Sequence, residues 1–159
     1  LYQLTWESNI VYVYEAGNID KPVKTFKWPY DGWGLTNNGT SLIISDGTSK
    51  LFFVNPDDFR LISTVRVSDK SGPIDSINEL EYVDGFIYAN VYQTDVIIKI
   101  DPSNGDVVGK MEFSGTKFFA DQIVPGRTDV LNGIAYDSTK KTFFITGKRW
   151  PKMFELKLN

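Results

Sequence analysis

The sequence predicts an all-β protein with the architecture of a β-propeller. Apolar residues alternate with polar ones along the whole chain, helical spacing is nowhere sustained, and one pair of apolar runs recurs at a regular interval. The first three copies of this pair begin at Leu1, Leu42 and Phe86, which lie 41 and 44 residues apart. Repeats of this length, with about four short antiparallel strands each, are typical of propeller blades. A sandwich of ordinary β-meanders is the alternative.

Alternation and turn residues together predict 14 strands in four sets. The first set covers 1–6, 10–14 and 22–28, where Ile10-Val-Tyr-Val-Tyr14 is a typical half-buried strand. The second set covers 33–36, 41–46, 50–54 and 61–67, with turns at 37–39 and 55–58. The third covers 77–83, 86–92, 95–100 and 107–113, with turns at 84–85 and 101–105. The fourth covers 132–136, 141–147 and 152–158, after one long insertion at 114–128.

If the strands of a blade are lettered A to D from the channel outward, these sets are B-C-D, A-B-C-D, A-B-C-D and A-B-C. Propellers close with at least four blades, roughly 16 strands. We therefore expect residues 1–159 to form a single propeller domain of about 3.5 blades. We expect it to lack the N-terminal blade and the first strand of the second.

Composition excludes several classes of site. The sequence has no histidine and no cysteine, so a Ser-His-Asp triad, a thiol nucleophile and a His- or Cys-ligated zinc centre are all excluded for this chain. The net charge of −3, without a run of basic residues, gives no surface for nucleic acid. No apolar run approaches the ~18 residues of a membrane-spanning helix.

Propeller sites gather at the mouth of the channel, where A strands begin and B strands end. This rule brings Trp33, Asn78 and Asn132 to one rim, with three B-strand residues around them: Trp6, Tyr92 and Lys148. Aromatic rings with an amide and an ammonium group suit a small polar ligand. Each residue also has a purely structural interpretation, since Trp33 could plug the channel and Lys148 could be an ordinary surface lysine.

Six stretches in the same order resemble the plant/bacterial-type glutaminyl-peptide cyclotransferases. They are Leu1-Tyr-Gln-Leu-Thr-Trp6, Gly32-Trp-Gly-Leu-Thr36, Ile77-Asn-Glu-Leu-Glu-Tyr82, Tyr88-Ala-Asn-Val-Tyr-Gln-Thr-Asp95, Asp129-Val-Leu-Asn-Gly-Ile-Ala-Tyr-Asp137 and Thr146-Gly-Lys-Arg-Trp-Pro-Lys152. The resemblance implies a five-bladed propeller that uses no metal or other cofactor. It also implies an enzyme that converts an N-terminal glutamine to pyroglutamate and releases ammonia.

Carried over by position, the resemblance makes Trp6 and Trp33 pocket aromatics that hold the glutaminyl side chain. Asn78 would bind and polarise the substrate amide, and Lys148 would complete the polar part of the pocket. Tyr92 stands where the family usually has Trp, which gives that wall a smaller ring and a hydroxyl group.

The resemblance identifies no catalytic residue within this chain. The family's catalytic Glu lies in a Phe-Gly-Glu-Gly strand just before the motif that begins at Leu1, and we expect the 159 residues alone to be inactive. Glu79 is the nearest carboxylate to Asn78 in sequence, but strand alternation places it on the opposite face.

The expected partner is a peptide or protein with an N-terminal glutamine, with no nucleic acid and no membrane span. The resemblance further implies an extracytoplasmic protein, secreted or periplasmic, that is monomeric when full length. Two alternatives remain open at this point. One is a non-catalytic propeller that binds a peptide terminus or a small polar ligand in the aromatic cup. The other is a metal-dependent lactonase-type propeller with ligands among Asp46, Asn78, Asn132 and Asp129.

Overall fold

The computed structural model describes residues 1–116, 124 and 126–158, which contain sixteen β-strands and no helix. The strands, in chain order, are β1 (Tyr2–Leu4), β2 (Ile10–Val13), β3 (Lys24–Lys27), β4 (Gly34–Asn37), β5 (Leu42–Ser45), β6 (Lys50–Val54), β7 (Leu61–Arg66), β8 (Ser68–Asp69), β9 (Gly72–Pro73), β10 (Ile77–Val83), β11 (Phe86–Val91), β12 (Val96–Ile100), β13 (Val107–Glu112), β14 (Leu131–Asp137), β15 (Thr142–Gly147) and β16 (Phe154–Leu156). Most of the predicted insertion at 114–128 lies outside the described residues. In the described part of the chain there is no helix long and apolar enough to cross a membrane.

The larger strands form four antiparallel meanders, each with its strands in sequence order. We number them as sheets one to four: β1-β2-β3, β4-β5-β6-β7, β10-β11-β12-β13 and β14-β15-β16. The 14 predicted strands are therefore confirmed, in sets of three, four, four and three. Observed strand ends differ from the predicted ones by at most two residues. The predicted fold class, an all-β propeller seen here as an incomplete set of blades, is also confirmed.

Neighbouring sheets pack face to face through three apolar clusters. Val11 and Trp28 meet Ile44 and Phe52 between sheets one and two. The second cluster joins sheets two and three, and the third joins sheets three and four. Sheets two and three are covered on both faces. The strand β5 is accordingly buried along its whole length, and its first three residues, Leu42-Ile-Ile44, are all apolar.

The turn between β10 and β11 contains the residue types that its backbone conformation requires. Asp84 and Gly85 join β10 to β11 with positive φ angles of 48° and 87°. A two-residue hairpin loop with both residues in this region matches the twist of the strands it connects, and Asp-Gly is among the pairs that adopt it. The Asp84-Gly85 turn thus fixes the register of the β10–β11 pair.

Two bulges interrupt the inner strands near the channel. The pairing of β10 with β11 shifts register between Ile77 and Leu80, and the pairing of β14 with β15 shifts between Leu131 and Ile134. A bulge breaks the two-residue alternation of side chains. Asn78 and Glu79 lie inside the first bulge, so their directions are set by local contacts as well as by alternation.

Candidate active site

One pocket of about 320 Å³ collects residues from all four large sheets. Its lining comprises Trp6, Gly32, Trp33, Asn78, Tyr92 and Lys148. The structure therefore brings together the five side chains that the family resemblance places in a substrate pocket. Each lies where a B strand ends or an A strand begins, as a radial arrangement of blades requires.

Two glycines set the position of Trp33 at the start of sheet two. The Trp33 ring lies directly on Gly47, where an added Cβ would come within 2.7 Å of the indole. Gly32 approaches the end of β1 closely, and its N–H donates to Thr5 O at 3.1 Å. A Cβ on Gly32 would lie 2.4 Å from Leu4 Cβ. These close approaches hold the start of β4 against sheet one on one side and Trp33 against Gly47 on the other.

Tyr92 connects the aromatic and the cationic walls of the pocket. Its ring meets Trp33 edge to face, with centroids 5.5 Å apart and planes at 78°. Lys148 places its Nζ 4.6 Å from the centroid of the same ring. A cation over an aromatic face is attracted by the negative potential of that face. Tyr92 therefore orients the ammonium group of Lys148 although its ring is smaller than a tryptophan's.

Asn78 is the most enclosed polar group of the pocket, with 7% of its surface exposed. Its backbone carbonyl accepts a hydrogen bond of 2.6 Å from Ser45 Oγ, and Ser45 is itself fully buried. A Cβ on Gly34 would come within 2.0 Å of Asn78 O, so only glycine permits this contact. The second sheet thus holds the backbone of Asn78 rigidly while its side chain lines the pocket.

Trp6 lines the solvent-facing side of the pocket, and 66% of its surface is exposed. The turn that carries it is closed by Thr5, whose Oγ1 donates to Ile10 O at 2.6 Å and accepts from Ile10 N at 3.1 Å. An exposed indole on a fixed turn is available to cover a ligand in the pocket.

Glu79 does not line the pocket, although it follows Asn78 directly. Its Oε2 accepts a 2.8 Å hydrogen bond from the backbone N–H of Ile134 in sheet four. Burial raises the pKa of Glu79 to about 8; the Ile134 hydrogen bond opposes this rise, and the charge of Glu81 adds to it. Glu81 accepts from Tyr136 N at 3.0 Å, and burial raises its pKa too. Both carboxyl groups serve contacts between sheets three and four.

Three other predicted candidates are not among the lining residues. The Nδ2 of Asn132 is buried without a hydrogen-bond partner. Asn132 lies in the second bulge at the place that Asn78 holds in the first, and its position on the rim beside Trp33 and Asn78 stays a prediction. Asp46 caps its own turn by accepting from Thr48, and Asp129 accepts from Val130 N. Over the residues that the structure describes, no three His, Cys, Asp or Glu side chains gather as a metal site.

Sequence reasoning did not single out Ser45 or recognise the role of Gly34. The signal for Ser45 was a serine that ends the apolar run Leu42-Ile-Ile-Ser45. A buried hydroxyl group requires a hydrogen-bond partner. That partner is a backbone carbonyl 33 residues away, which no local pattern reveals.

A larger hollow of about 540 Å³ lies between the β8–β9 hairpin and the outer strands of sheet three. Its walls include Ile74, Val96 and Val108, with Lys70 and Lys110 among its polar members. None of the five predicted site residues lines this hollow. The chemistry therefore belongs with the smaller pocket, where polar groups of several sheets converge.

The family model described as "Glutamine cyclotransferase" matches residues 1–158. The chain belongs to the glutamine cyclotransferase family. It is 39% identical, over 161 residues, to glutaminyl-peptide cyclotransferase of Arabidopsis thaliana. That alignment covers 99% of this chain and 49% of the plant protein, so the chain spans about half the length of its relative.

Solved structures agree with this family membership. The crystal structure of Myxococcus xanthus glutaminyl cyclase superposes with a TM-score of 0.89 at 38% identity. The match covers 99% of this chain and 68% of the bacterial one. The WD40 β-propeller domain of Doa1 matches with a TM-score of 0.57 at 10% identity, over 93% of this chain and 43% of that domain's chain. At this low identity the Doa1 match shows the fold alone.

Proposed function

We propose that this member of the glutamine cyclotransferase family cyclises N-terminal glutamine residues of peptides or proteins to pyroglutamate and releases ammonia. The observation that supports the proposal is the convergence of Trp6, Trp33, Tyr92, Asn78 and Lys148 on one small pocket. Three aromatic rings suit the methylene groups of a glutaminyl side chain. One amide and one ammonium group suit its γ-carboxamide.

The pocket would act first by holding the substrate in a curled conformation. Cyclisation requires the α-amine to attack the γ-amide carbon of the same residue. Well-oriented intramolecular attack reaches effective molarities of about 10⁵ M or more. The walls formed by Trp6, Trp33 and Tyr92 would bring the two groups together and exclude water from them.

Asn78 and Lys148 would then stabilise the negative charge that develops on the amide oxygen. Removal of one such donor typically lowers kcat by about 10²–10³. As the new C–N bond forms, the amine loses a proton, and the departing amide nitrogen gains one to leave as ammonia. A carboxylate that accepts and then returns this proton would complete the reaction.

We propose that this carboxylate is supplied by sequence outside residues 1–159. Among the described residues, those that line the pocket include no carboxylate. Glu79 is the nearest in sequence, but it is bonded to Ile134 N in sheet four. The proposal is supported further by the plant relative, of which this chain covers only 49%.

The proposal is tested by following ammonia release from a Gln-initiated dipeptide. The test compares the 159-residue chain with a form extended by the sequence encoded before Leu1. We expect turnover by the extended form only, and we expect it to persist in a strong chelator. Turnover by the 159-residue chain alone would contradict the assignment of the missing carboxylate. Binding of the dipeptide to the extended form without ammonia release would instead support a non-catalytic binding protein.

The role of Lys148 has a matched control within the same sheet. Lys148→Ala in the active extended form should lower kcat/KM by about 10²-fold, the typical loss for one charge-stabilising donor. Lys140 lies in the turn at the opposite end of the β14–β15 pair, and Lys140→Ala should leave kcat/KM unchanged. Equal kinetics for the two variants would contradict the proposed role of the pocket.

A further inference from the structure

The bulge that carries Asn78 is held from both neighbouring blades. Sheet two holds it through the Ser45 Oγ bond to Asn78 O and through the close approach of Gly34. Sheet four holds it through Glu79, whose Oε2 accepts from Ile134 N at 2.8 Å. Asn78 is thus placed by contacts that reach beyond its own sheet.

The contact with sheet four leads directly to the other polar group of the pocket. Ile134 in β14 is paired with Ile145 in β15, and β15 ends at Gly147, immediately before Lys148. A second bond joins the same two sheets, because Asn90 Oδ1 accepts from Gly133 N at 3.1 Å. Asn90 lies on β11, however, so of these two acceptors only Glu79 is adjacent to Asn78 in the chain.

We propose that Glu79 is a positioning residue, which sets the placement of Asn78 relative to Lys148 by joining the bulge of β10 to β14. The kinetic part of this inference rests on the proposed function. Glu79 does not contact the substrate pocket, so it acts through Asn78 and not as a catalytic residue.

The surroundings of Glu79 suit an uncharged carboxyl group. Three of the strands packed around β10 are β4, β5 and β11. Their only titratable side chain is that of Tyr88 in β11. β14 contributes Asp137, which caps its own turn at Thr139 and Lys140. On β10 itself the titratable neighbours are Glu81 and Tyr82. A glutamine has the same shape as a neutral glutamic acid and offers the same acceptor to Ile134 N, so it should replace Glu79 well.

Glu81 provides a control of matched chemistry. It lies two residues further along the same strand and accepts from Tyr136 N at 3.0 Å. Loss of either carboxyl removes one bond between sheets three and four. Only Glu79 lies within the bulge beside Asn78, so only its loss should change the geometry of the pocket.

The kinetic experiment uses the active extended form of the protein and a Gln-initiated dipeptide. Glu79→Ala should lower kcat by about 10- to 100-fold, the scale of a misplacement of about 1 Å, with a smaller change in KM. Glu79→Gln should retain the kcat of the wild type within about threefold, and Glu81→Ala should leave kcat unchanged. If Glu79→Gln is as impaired as Glu79→Ala, the carboxyl itself takes part in proton transfer and the inference is overturned. It is also overturned if Glu79→Ala and Glu81→Ala lose equal activity.

A second measurement is independent of turnover. Nuclear magnetic resonance of the Asn78 side-chain amide and the Lys148 ammonium, without substrate, should show shifted signals in Glu79→Ala and unshifted signals in Glu81→Ala. Unshifted signals in Glu79→Ala would overturn the inference even if the enzyme is active. If the wild type releases no ammonia, the proposed function fails, and the resonance measurement still decides the positioning role.

Discussion

Tyr92 serves two neighbours in the pocket at once, and its phenol ring determines how well both are held. The ring contacts the edge of Trp33 at a centroid distance of 5.5 Å and lies 4.6 Å from Lys148 Nζ. The attraction between a cation and an aromatic face is worth about 0.5–2 kcal/mol. Any aromatic ring at position 92 should supply this attraction, and an aliphatic side chain should not.

Substitution at Tyr92 tests this arrangement. Tyr92→Phe keeps the ring and should leave kcat/KM for a Gln-initiated dipeptide close to the wild-type value. Tyr92→Leu removes the face over which Lys148 lies, and we expect kcat/KM to fall about 2- to 30-fold. Steady-state kinetics of the active extended form measure both. A Tyr92→Phe variant as impaired as Tyr92→Leu would show that the hydroxyl group, rather than the ring, matters.

Glu79 should make stability depend on pH in a defined window. Its ordinary pKa of 4.5 is raised to about 8 in the folded protein. Between these values the folded state holds a proton that the unfolded state has lost, so the free energy of unfolding falls as pH rises. The slope from this group is ~1.4 kcal/mol per pH unit within the window.

Glu79→Gln should therefore remove this part of the pH dependence. Urea denaturation at pH 5, 6, 7 and 8 measures the free energy of unfolding of both proteins. We expect the variant to gain stability relative to the wild type as pH rises across this series. A difference between the two proteins that stays constant from pH 5 to pH 8 would show that Glu79 is ionised at neutral pH.

At the scale of single elements, the predicted strands were largely right and the departures have physical causes. Runs such as Leu42-Ile-Ile and Leu51-Phe-Phe-Val54 are apolar without interruption because both faces of sheet two are covered. The β8–β9 hairpin was missed because Ser68–Pro73 contains no strand-favouring residue. It is held by distant partners, since Ser68 N donates to Gly105 O. Composition alone does not indicate such contacts.

The bulge in β10 was equally invisible from its sequence. Ile77-Asn-Glu-Leu80 fits regular alternation, which predicts one face for Asn78 and the other for Glu79. In the structure this stretch shifts register, and its course is determined by Ser45 and Gly34 of another sheet. Family resemblance supplied the pocket residues, but the groups that hold them depend on contacts between sheets.

Gly34→Ala should disrupt the junction between β4 and β10. The new Cβ would lie 2.0 Å from Asn78 O, a backbone atom that moves only if the two sheets separate. We expect a loss of about 1–3 kcal/mol in the free energy of unfolding, as for other overpacked sites, together with a lower kcat/KM. Gly109→Ala is the control, because a Cβ there meets only Lys99 side-chain atoms, at 3.4 Å and beyond. Equal urea midpoints for the two variants would contradict the close contact at Gly34.

Across the described molecule, the pocket spans the same boundaries that the apolar clusters hold together. Trp6 follows β1 of sheet one, and Trp33 precedes β4 of sheet two. Asn78 lies in β10 and Tyr92 follows β11, both of sheet three, while Lys148 follows β15 of sheet four. Each cluster joins one pair of neighbouring sheets. The relative positions of the pocket residues therefore depend on packing at three separate boundaries. No sequence pattern specifies how two sheets are oriented, which is why the pocket's shape needed the structure.

The boundary between sheets two and three offers a direct test of this dependence. Ile87 is fully buried there, and Ile87→Ala should lower the free energy of unfolding by about 2–5 kcal/mol. It should also lower kcat/KM, because the cavity loosens the contact between the sheets that carry Trp33 and Asn78. Ile62 in β7 is 58% exposed, so the same change there should alter stability by no more than about 0.5 kcal/mol. Urea denaturation and dipeptide kinetics of the active extended form measure both effects. If Ile87→Ala is destabilised but keeps wild-type kinetics, the pocket does not depend on packing at this boundary.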